Sequence, residues 1–234
     1  MSKVSQAYVT SDNPIIEIRE THPLTYIMWV IGTRCNFACS YCPDVWHDKH
    51  SSHKTLEEMK TAWRKIIKSV EHSKKQLAIG ILGGEPTMNP DLLAFLQWVN
   101  IYYKSANIDI SVYSNGTASL EYYQTLAKYC NFYFSTHSEF MNESKFFSIV
   151  SNLNQYNIEK NLNCRIAVLV MDEEWNKDRI PEYIKYLDEH NISWMLSPVE
   201  PVYLPESNWP EQNVKSSAGP KKSNKVNFYE RITS

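Results

Sequence analysis

"QLAIGILGGEPTMNPDLLAFLQWVNIYY", residues 76–103, joins an apolar run to a glycine pair, an acidic residue and a stretch of helical period with Pro90 at its opening. A strand, a short loop and a helix in that order make half of the crossover unit that links parallel strands. Proline is favoured in the first helical turn, where its missing N–H costs nothing. The same alternation continues in both directions. Upstream, "TLEEMKTAWRKIIKSV" carries a capping box at Thr55 and Glu58 and sets Leu56, Met59, Trp63, Ile66, Ile67 and Val70 on one face. Before it, "TYIMWVI", Thr25 to Ile31, reads as the first strand. Downstream come "IDISVYS" and "NFYFST", with "SLEYYQTLAKY" between them, then "ESKFFSIVSNLNQY", "CRIAVLV", "DRIPEYIKYLDEH" and "ISWMLSP". Six strands and five intervening helices result. The fold class is α/β, either an open parallel barrel, the partial (β/α)6 TIM-type form, or a doubly wound sheet, with right-handed crossovers.

Composition sets the surroundings. A chain of 234 residues, 43% hydrophobic and 21% charged, is long enough to bury a full core and fits one domain better than two. A net charge of −2 supports no nucleic-acid partner, and no apolar run approaches the length of a membrane span. The opening "MSKVSQAYVTSDNP" lacks the basic-then-apolar order of a secretory signal, so the expected compartment is the reducing cytoplasm. Cysteines there serve as ligands or buried thiols more often than as disulfides.

Both candidate folds gather ligands at the carboxyl ends of their strands. The loops at those ends hold the least ordinary chemistry in the chain. "GTRCNFACSYCP" follows the first strand, "GGEPT" the second and "SNGT" the third, and "STHSE" closes the fourth. The first of these brings Cys35, Cys39 and Cys42 together in a chain of five cysteines. Three thiolates can hold zinc or an iron–sulfur cluster. A closed zinc site wants a fourth ligand, which His47, His50 or His53 can offer, so zinc stays open as the alternative. A cubane held by three cysteines instead leaves one iron open to a cofactor or substrate.

The CxxxCxxC spacing, with Tyr41 just before the last cysteine and "GGEP" after the next strand, resembles the radical S-adenosylmethionine (SAM) enzymes. The resemblance runs from about Thr25 to Pro198. It implies a [4Fe-4S] cluster on Cys35, Cys39 and Cys42, with SAM chelated at the open iron by its amino and carboxylate groups. Electron transfer then cleaves SAM to methionine and a 5′-deoxyadenosyl radical that takes hydrogen from the substrate. It also implies an electron donor such as flavodoxin or ferredoxin. Within this frame Gly83 and Gly84 let the backbone approach the ligand, Glu85 accepts from the SAM ammonium, and the backbone of Tyr41 meets adenine. Ser114 and Asn115 are expected at the ribose or carboxylate, Ser135 at the ribose, and Arg165 at the carboxylate.

Each of these residues also has a plainer reading. Asn115 and Gly116 suit a simple turn, Ser135 a strand-end hydroxyl, and Arg165 a surface ion pair. His137 suits either a substrate-pocket proton donor or a hydrogen-bonded strand-end histidine. Cys130 and Cys164, remote from the cluster loop, read as buried apolar thiols. The expected organisation is an N-terminal extension over 1–24, the barrel over 25–200, and a C-terminal cap or partly disordered tail over 201–234. That tail has no cysteine and so offers no auxiliary cluster. The short chain and "YCPDVWHD" resemble the small glycyl-radical activating enzymes, which act on a protein partner and stand as the alternative, although "STHSEF" lacks their Asp-x-Lys pattern. "GGEPTMNP" is closer in style to the group containing molybdopterin and pyrroloquinoline quinone biosynthesis enzymes, which implies a small-molecule or peptide substrate.

Overall fold

The structure is a computed structural model. It describes residues 15–21, 24–42, 46–71, 73, 75–104, 106, 108–172 and 176–199, with side chains from Leu24 onward. The C-terminal segment expected as a cap lies outside the described residues.

Six strands run parallel: β2 (Leu24–Val30), β3 (Gln76–Leu82), β4 (Ile108–Ser114), β5 (Asn131–Ser135), β6 (Ile166–Asp172) and β7 (Ser193–Pro198). Their order in the sheet is their order in the chain. This order decides between the two expected folds. A doubly wound sheet must reverse direction at a switch point, whereas here every crossover advances the same way. All helices therefore lie on one face, and the sheet curls into a partial (β/α)6 barrel. One strand was not anticipated. Within the segment read as an extension, β1 (Ile15–Thr21) pairs antiparallel with β2, with a register shift between Ile15 and Glu17.

The period of two along each strand sorts the side chains. On β2, Thr25, Ile27 and Trp29 are buried while Tyr26 and Met28 between them are half-buried, and Ile166, Val168 and Val170 repeat the pattern on β6. The buried set packs on five helices: α1 (Leu56–Val70), α2 (Leu92–Tyr103), α3 (Leu120–Leu126), α4 (Glu143–Glu159) and α5 (Ile180–Glu189). Trp29 meets Trp63 of α1 at 6.2 Å and the edge of Phe95 of α2 at 5.4 Å, while Phe132 and Phe134 of β5 both meet Tyr123 of α3 edge-on. No helix of the described residues is long and apolar enough to cross a membrane.

The capping box of α1 is present in full. Thr55 Oγ1 accepts from the Glu58 N–H at 3.3 Å, and Glu58 Oε2 accepts from the Thr55 N–H at 2.8 Å. Thr55→Ala removes the side-chain acceptor, and we expect it to cost about 1 kcal/mol. The check is a lower urea midpoint at unchanged slope.

Candidate functional site

At the carboxyl ends of the strands lies a cavity of about 400 Å³, and the loops that follow β2, β3, β4 and β5 all contribute to its wall. Cys35, Cys39, Cys42 and Tyr41 come from the first loop and Gly83, Gly84 and Glu85 from the second. Asn115 and His137 come from the third and fourth, and Ser114 and Ser135 are the last residues of β4 and β5 before them.

The cysteine loop is held from two sides. On one side the glycine pair lies against it backbone to backbone, with the Gly84 N–H donating to Gly32 O at 3.0 Å and the Glu85 N–H to Arg34 O at 2.8 Å. A Cβ on Gly83 would stand 2.3 Å from Gly32 O, and one on Gly84 2.3 Å from Arg34 O and 2.4 Å from Thr33 O. The close approach expected of these glycines is thus to the cysteine loop's own main chain. On the other side, the turn after β5 reaches across the barrel mouth. Glu139 Oε2 accepts from the Ser40 N–H at 2.6 Å, Phe140 stacks on Phe37 at 5.7 Å, and His137 Nδ1 bonds the Tyr41 hydroxyl and lies 3.7 Å from Cys39 Sγ.

Asp48, which carries no motif in the sequence, anchors the loop from below. Its carbonyl accepts from the Cys35 N–H at 2.9 Å, its Oδ2 from Thr33 Oγ1 at 3.1 Å, and its Oδ1 from the His50 and Ser51 N–H groups at 2.8 and 2.9 Å. Donation from the Ser51 side chain, then from the His50 and Ser51 backbone, holds this carboxyl well below the usual carboxylate range. The signal available beforehand was an Asp followed three residues later by Ser51, types that favour turns.

Glu85 is buried and takes four donors. Its Oε1 accepts from the Thr87 N–H at 3.0 Å, Thr87 Oγ1 at 2.5 Å and Ser114 Oγ at 2.9 Å, and its Oε2 from the Asn115 N–H at 2.6 Å. Burial raises its pKa, and these donors oppose the rise. The carboxylate therefore ties the loop after β3 to the loop after β4, and Oε2, with one donor against three, is the oxygen with acceptor capacity left.

The turn reading of the Ser114–Asn115 loop holds, and both residues stand on the cavity wall. Asn115 Oδ1 accepts from the Thr117 N–H and hydroxyl at 3.2 and 2.6 Å, closing a turn. Its Nδ2 donates to Asn36 Oδ1 at 2.9 Å, which binds that turn to the cysteine loop. Gly116 follows at φ 75°, with the Phe146 ring 2.6 Å from where a Cβ would stand.

Arg165 requires a correction. It precedes the first residue of β6 and so stands at the amino ends of the strands, opposite the cavity. There it pairs with Asp109, while its N–H donates to Asn131 Oδ1 at 2.8 Å. A residue that opens a parallel strand lies opposite the rim wherever the strand's first residue falls, and Asn157 of α4 fixes the neighbouring Cys164 through its carbonyl and N–H at 2.6 and 3.4 Å. Cys130 and Cys164 are buried, and burial pushes the Cys164 thiol up to about 12 and that of Cys130 well above its ordinary value.

The donor set bears on the two metals left open by the sequence. A single zinc draws all its ligands to one point, and among the described residues no three His, Cys, Asp or Glu side chains are so disposed. His47 bonds Cys39 O at 2.9 Å, and His50 and His53 lie outside the cavity wall. A cubane spreads three thiolates over three irons. Three thiols of one loop opening on a common cavity fit that group.

Comparison with known proteins agrees with this geometry. The family model of the Radical SAM superfamily matches residues 29–164, more than half of the chain. A curated protein of Selenomonas ruminantium, described as an S-adenosylmethionine-dependent nucleotide dehydratase, is 31% identical over 90 residues, which are 38% of this chain and 29% of that protein. A solved structure described as hexahistidine-tagged anSMEcpe with bound AdoMet is similar at a TM-score of 0.53 and 16% identity, over 76% of this chain and 52% of that one. The chain thus spans about half or less of the length of these two proteins, and the second likeness is one of fold. With the family match over the barrel, the cysteine loop and the glycine pair in place, the chain belongs to the radical SAM superfamily and is an enzyme of that superfamily.

Proposed function

We propose that Cys35, Cys39 and Cys42 hold one [4Fe-4S] cluster, that SAM binds beside it, and that the enzyme takes hydrogen from a small-molecule or peptide substrate entering at the strand carboxyl ends. The observation that carries this reading is the opening of all three thiols onto the same cavity as Glu85, Ser114, Asn115 and Ser135. When bound, the cluster and SAM supply one-electron reduction and a carbon radical, and the protein positions and shields them. Glu85 Oε2 offers the SAM ammonium a charge-assisted acceptor. Asn115 and Ser135 present polar groups to the ribose, and the Tyr41 backbone meets adenine. An electron donor such as flavodoxin or ferredoxin completes the system. Within the small-molecule class, the name of the Selenomonas relative suggests a nucleotide, and the style of "GGEPTMNP" suggests a biosynthetic intermediate.

Anaerobic reconstitution followed by iron and sulfide analysis tests the reading, with about four of each expected per chain. SAM and dithionite should then yield 5′-deoxyadenosine and methionine. Stoichiometric zinc without iron after strictly anoxic preparation overturns it.

Glu85→Gln tests the pocket more finely. An amide replaces an acceptor-only group, so its NH2 must face either the Asn115 N–H or the Thr87 N–H, and the charge that suits an ammonium is lost. We expect SAM affinity to fall by about 1 to 3 kcal/mol, roughly 5- to 150-fold. Equilibrium binding at matched iron content measures it.

A further inference from the structure

Two side chains converge on one of the three cysteines in the cavity wall. Cys39 Sγ lies 3.7 Å from His137 Nδ1, and the Tyr41 hydroxyl is bonded to that same nitrogen. The Tyr41 and His137 rings are stacked with centroids 6.1 Å apart, and Phe37 meets the imidazole edge-on at 6.0 Å. Two aromatic contacts thus hold the imidazole in place. Cys35 is served differently, by the Phe37 main-chain N–H at 3.3 Å.

The protons decide what this contact does. A thiolate ligand accepts hydrogen bonds and donates none, whereas a neutral imidazole and a phenol each carry one donor. With the imidazole proton on Nε2, the Nδ1 lone pair would face the lone pairs of the sulfur. With it on Nδ1, the ring and the hydroxyl together supply donors to the sulfur, so this is the form that suits a ligating Cys39. The neighbouring Cys42 and then burial raise the pKa of the Cys39 thiol, and hydrogen bonds from His137 and Tyr41 work against the rise. Hydrogen bonds to the sulfurs are one of the levers on a cluster's reduction potential, because a donor favours the more negative, reduced state.

We infer that His137 and the Tyr41 side chain are positioning residues that raise the reduction potential of the cluster by hydrogen-bonding the Cys39 sulfur, easing entry of the single electron that a flavodoxin or ferredoxin supplies. The inference rests on the reading of Cys35, Cys39 and Cys42 as cluster ligands. Neither side chain takes up the electron, and no bond is made or broken in either. The turn after β5 therefore does more than brace the cysteine loop through Glu139 and Phe140.

A redox titration of the full-length, cluster-loaded protein, read by electron paramagnetic resonance of the reduced cluster, tests it. Iron and sulfide are measured in the same samples, so a failure of the cofactor reading shows itself as a parent protein without iron, before any potential is read. His137→Phe keeps a ring against Tyr41 and loses Nδ1, while Tyr41→Phe keeps the ring and loses the hydroxyl. At the parent's midpoint potential the ratio of reduced to oxidised cluster should fall about tenfold in His137→Phe, which for one electron is a shift of about 59 mV. Tyr41→Phe should move the same way. His137→Asn, whose amide nitrogen can take the place of Nδ1, should stay closer to the parent than His137→Phe does. A merely structural role would lower iron content and leave the midpoint of the loaded clusters where it was. The inference is overturned if His137→Phe loads iron and its midpoint stays or rises, or if His137→Asn falls as far as His137→Phe. If His137→Phe loads no iron, Tyr41→Phe decides by the same criterion. If neither loads while the parent does, the pair serves assembly and the inference fails.

Discussion

Replacing any one of Cys35, Cys39 or Cys42 with alanine should abolish cluster loading, with iron and sulfide falling from about four per chain to background after anaerobic reconstitution. Two thiolates leave two irons of a cubane without a protein ligand, and the side chains near the loop are already engaged, His137 Nδ1 with the Tyr41 hydroxyl. His47 is engaged with Cys39 O, and Glu85 is held by Thr87, Ser114 and Asn115. Cys130→Ala and Cys164→Ala should retain full iron, since both thiols are buried away from the cavity wall. Iron retained in a Cys39→Ala protein, or lost in a Cys130→Ala protein, would contradict the assignment.

Gly84→Ala should be nearly as damaging although it alters no ligand. The added methyl meets two carbonyl oxygens and a carbonyl carbon of Thr33 and Arg34 at 2.3 to 2.5 Å, and these are main-chain atoms that cannot swing aside. Relief requires the loop after β3 to withdraw, which breaks the hydrogen bond from Glu85 N–H to Arg34 O and frees the residue next to Cys35. We expect a loss of about 3 kcal/mol, the upper part of the range for overpacking. For a chain of this length that is a fall in Tm of roughly 10 °C, accompanied by poor iron loading. Gly32→Ala is the control, because nothing lies within 4 Å of its added Cβ. Equal behaviour of the two variants would show that the close backbone contact does not hold the cysteine loop.

The order of strands and helices was legible because each signal is local. The Thr55–Glu58 box, the apolar face from Leu56 to Val70 and the alternation on β2 are properties of short windows. The rim loops followed from the strand order alone, since crossover units put every strand's carboxyl end on one side. What stayed hidden depends on partners distant in sequence or on unpatterned loops. Arg165, by contrast, was legible, since a residue that opens a parallel strand lies at its amino end, away from the rim. Asp48 acts through backbone N–H groups of an irregular loop, where no periodicity marks it. Gly83 and Gly84 announced a close approach, yet the object approached was main chain contributed by Gly32, Thr33 and Arg34. His137 was visible at a strand end and Glu139 only as the last residue of "STHSE", and their grip on Tyr41 and Ser40 depends on partners about a hundred positions away.

That grip also sets a schedule for synthesis. Glu139 lies 99 positions after Ser40, the residue whose N–H it binds. Chains are made at roughly 5–20 residues per second, so the three thiols leave the ribosome some 5–20 s before the turn that braces them exists. During that interval the cysteine loop has a growing β-sheet beneath it but no second support, and its sulfurs are open to oxidation. Metal insertion on the finished geometry must follow completion of β5, which makes the speed of elongation through residues 42–139 a determinant of how much protein matures intact.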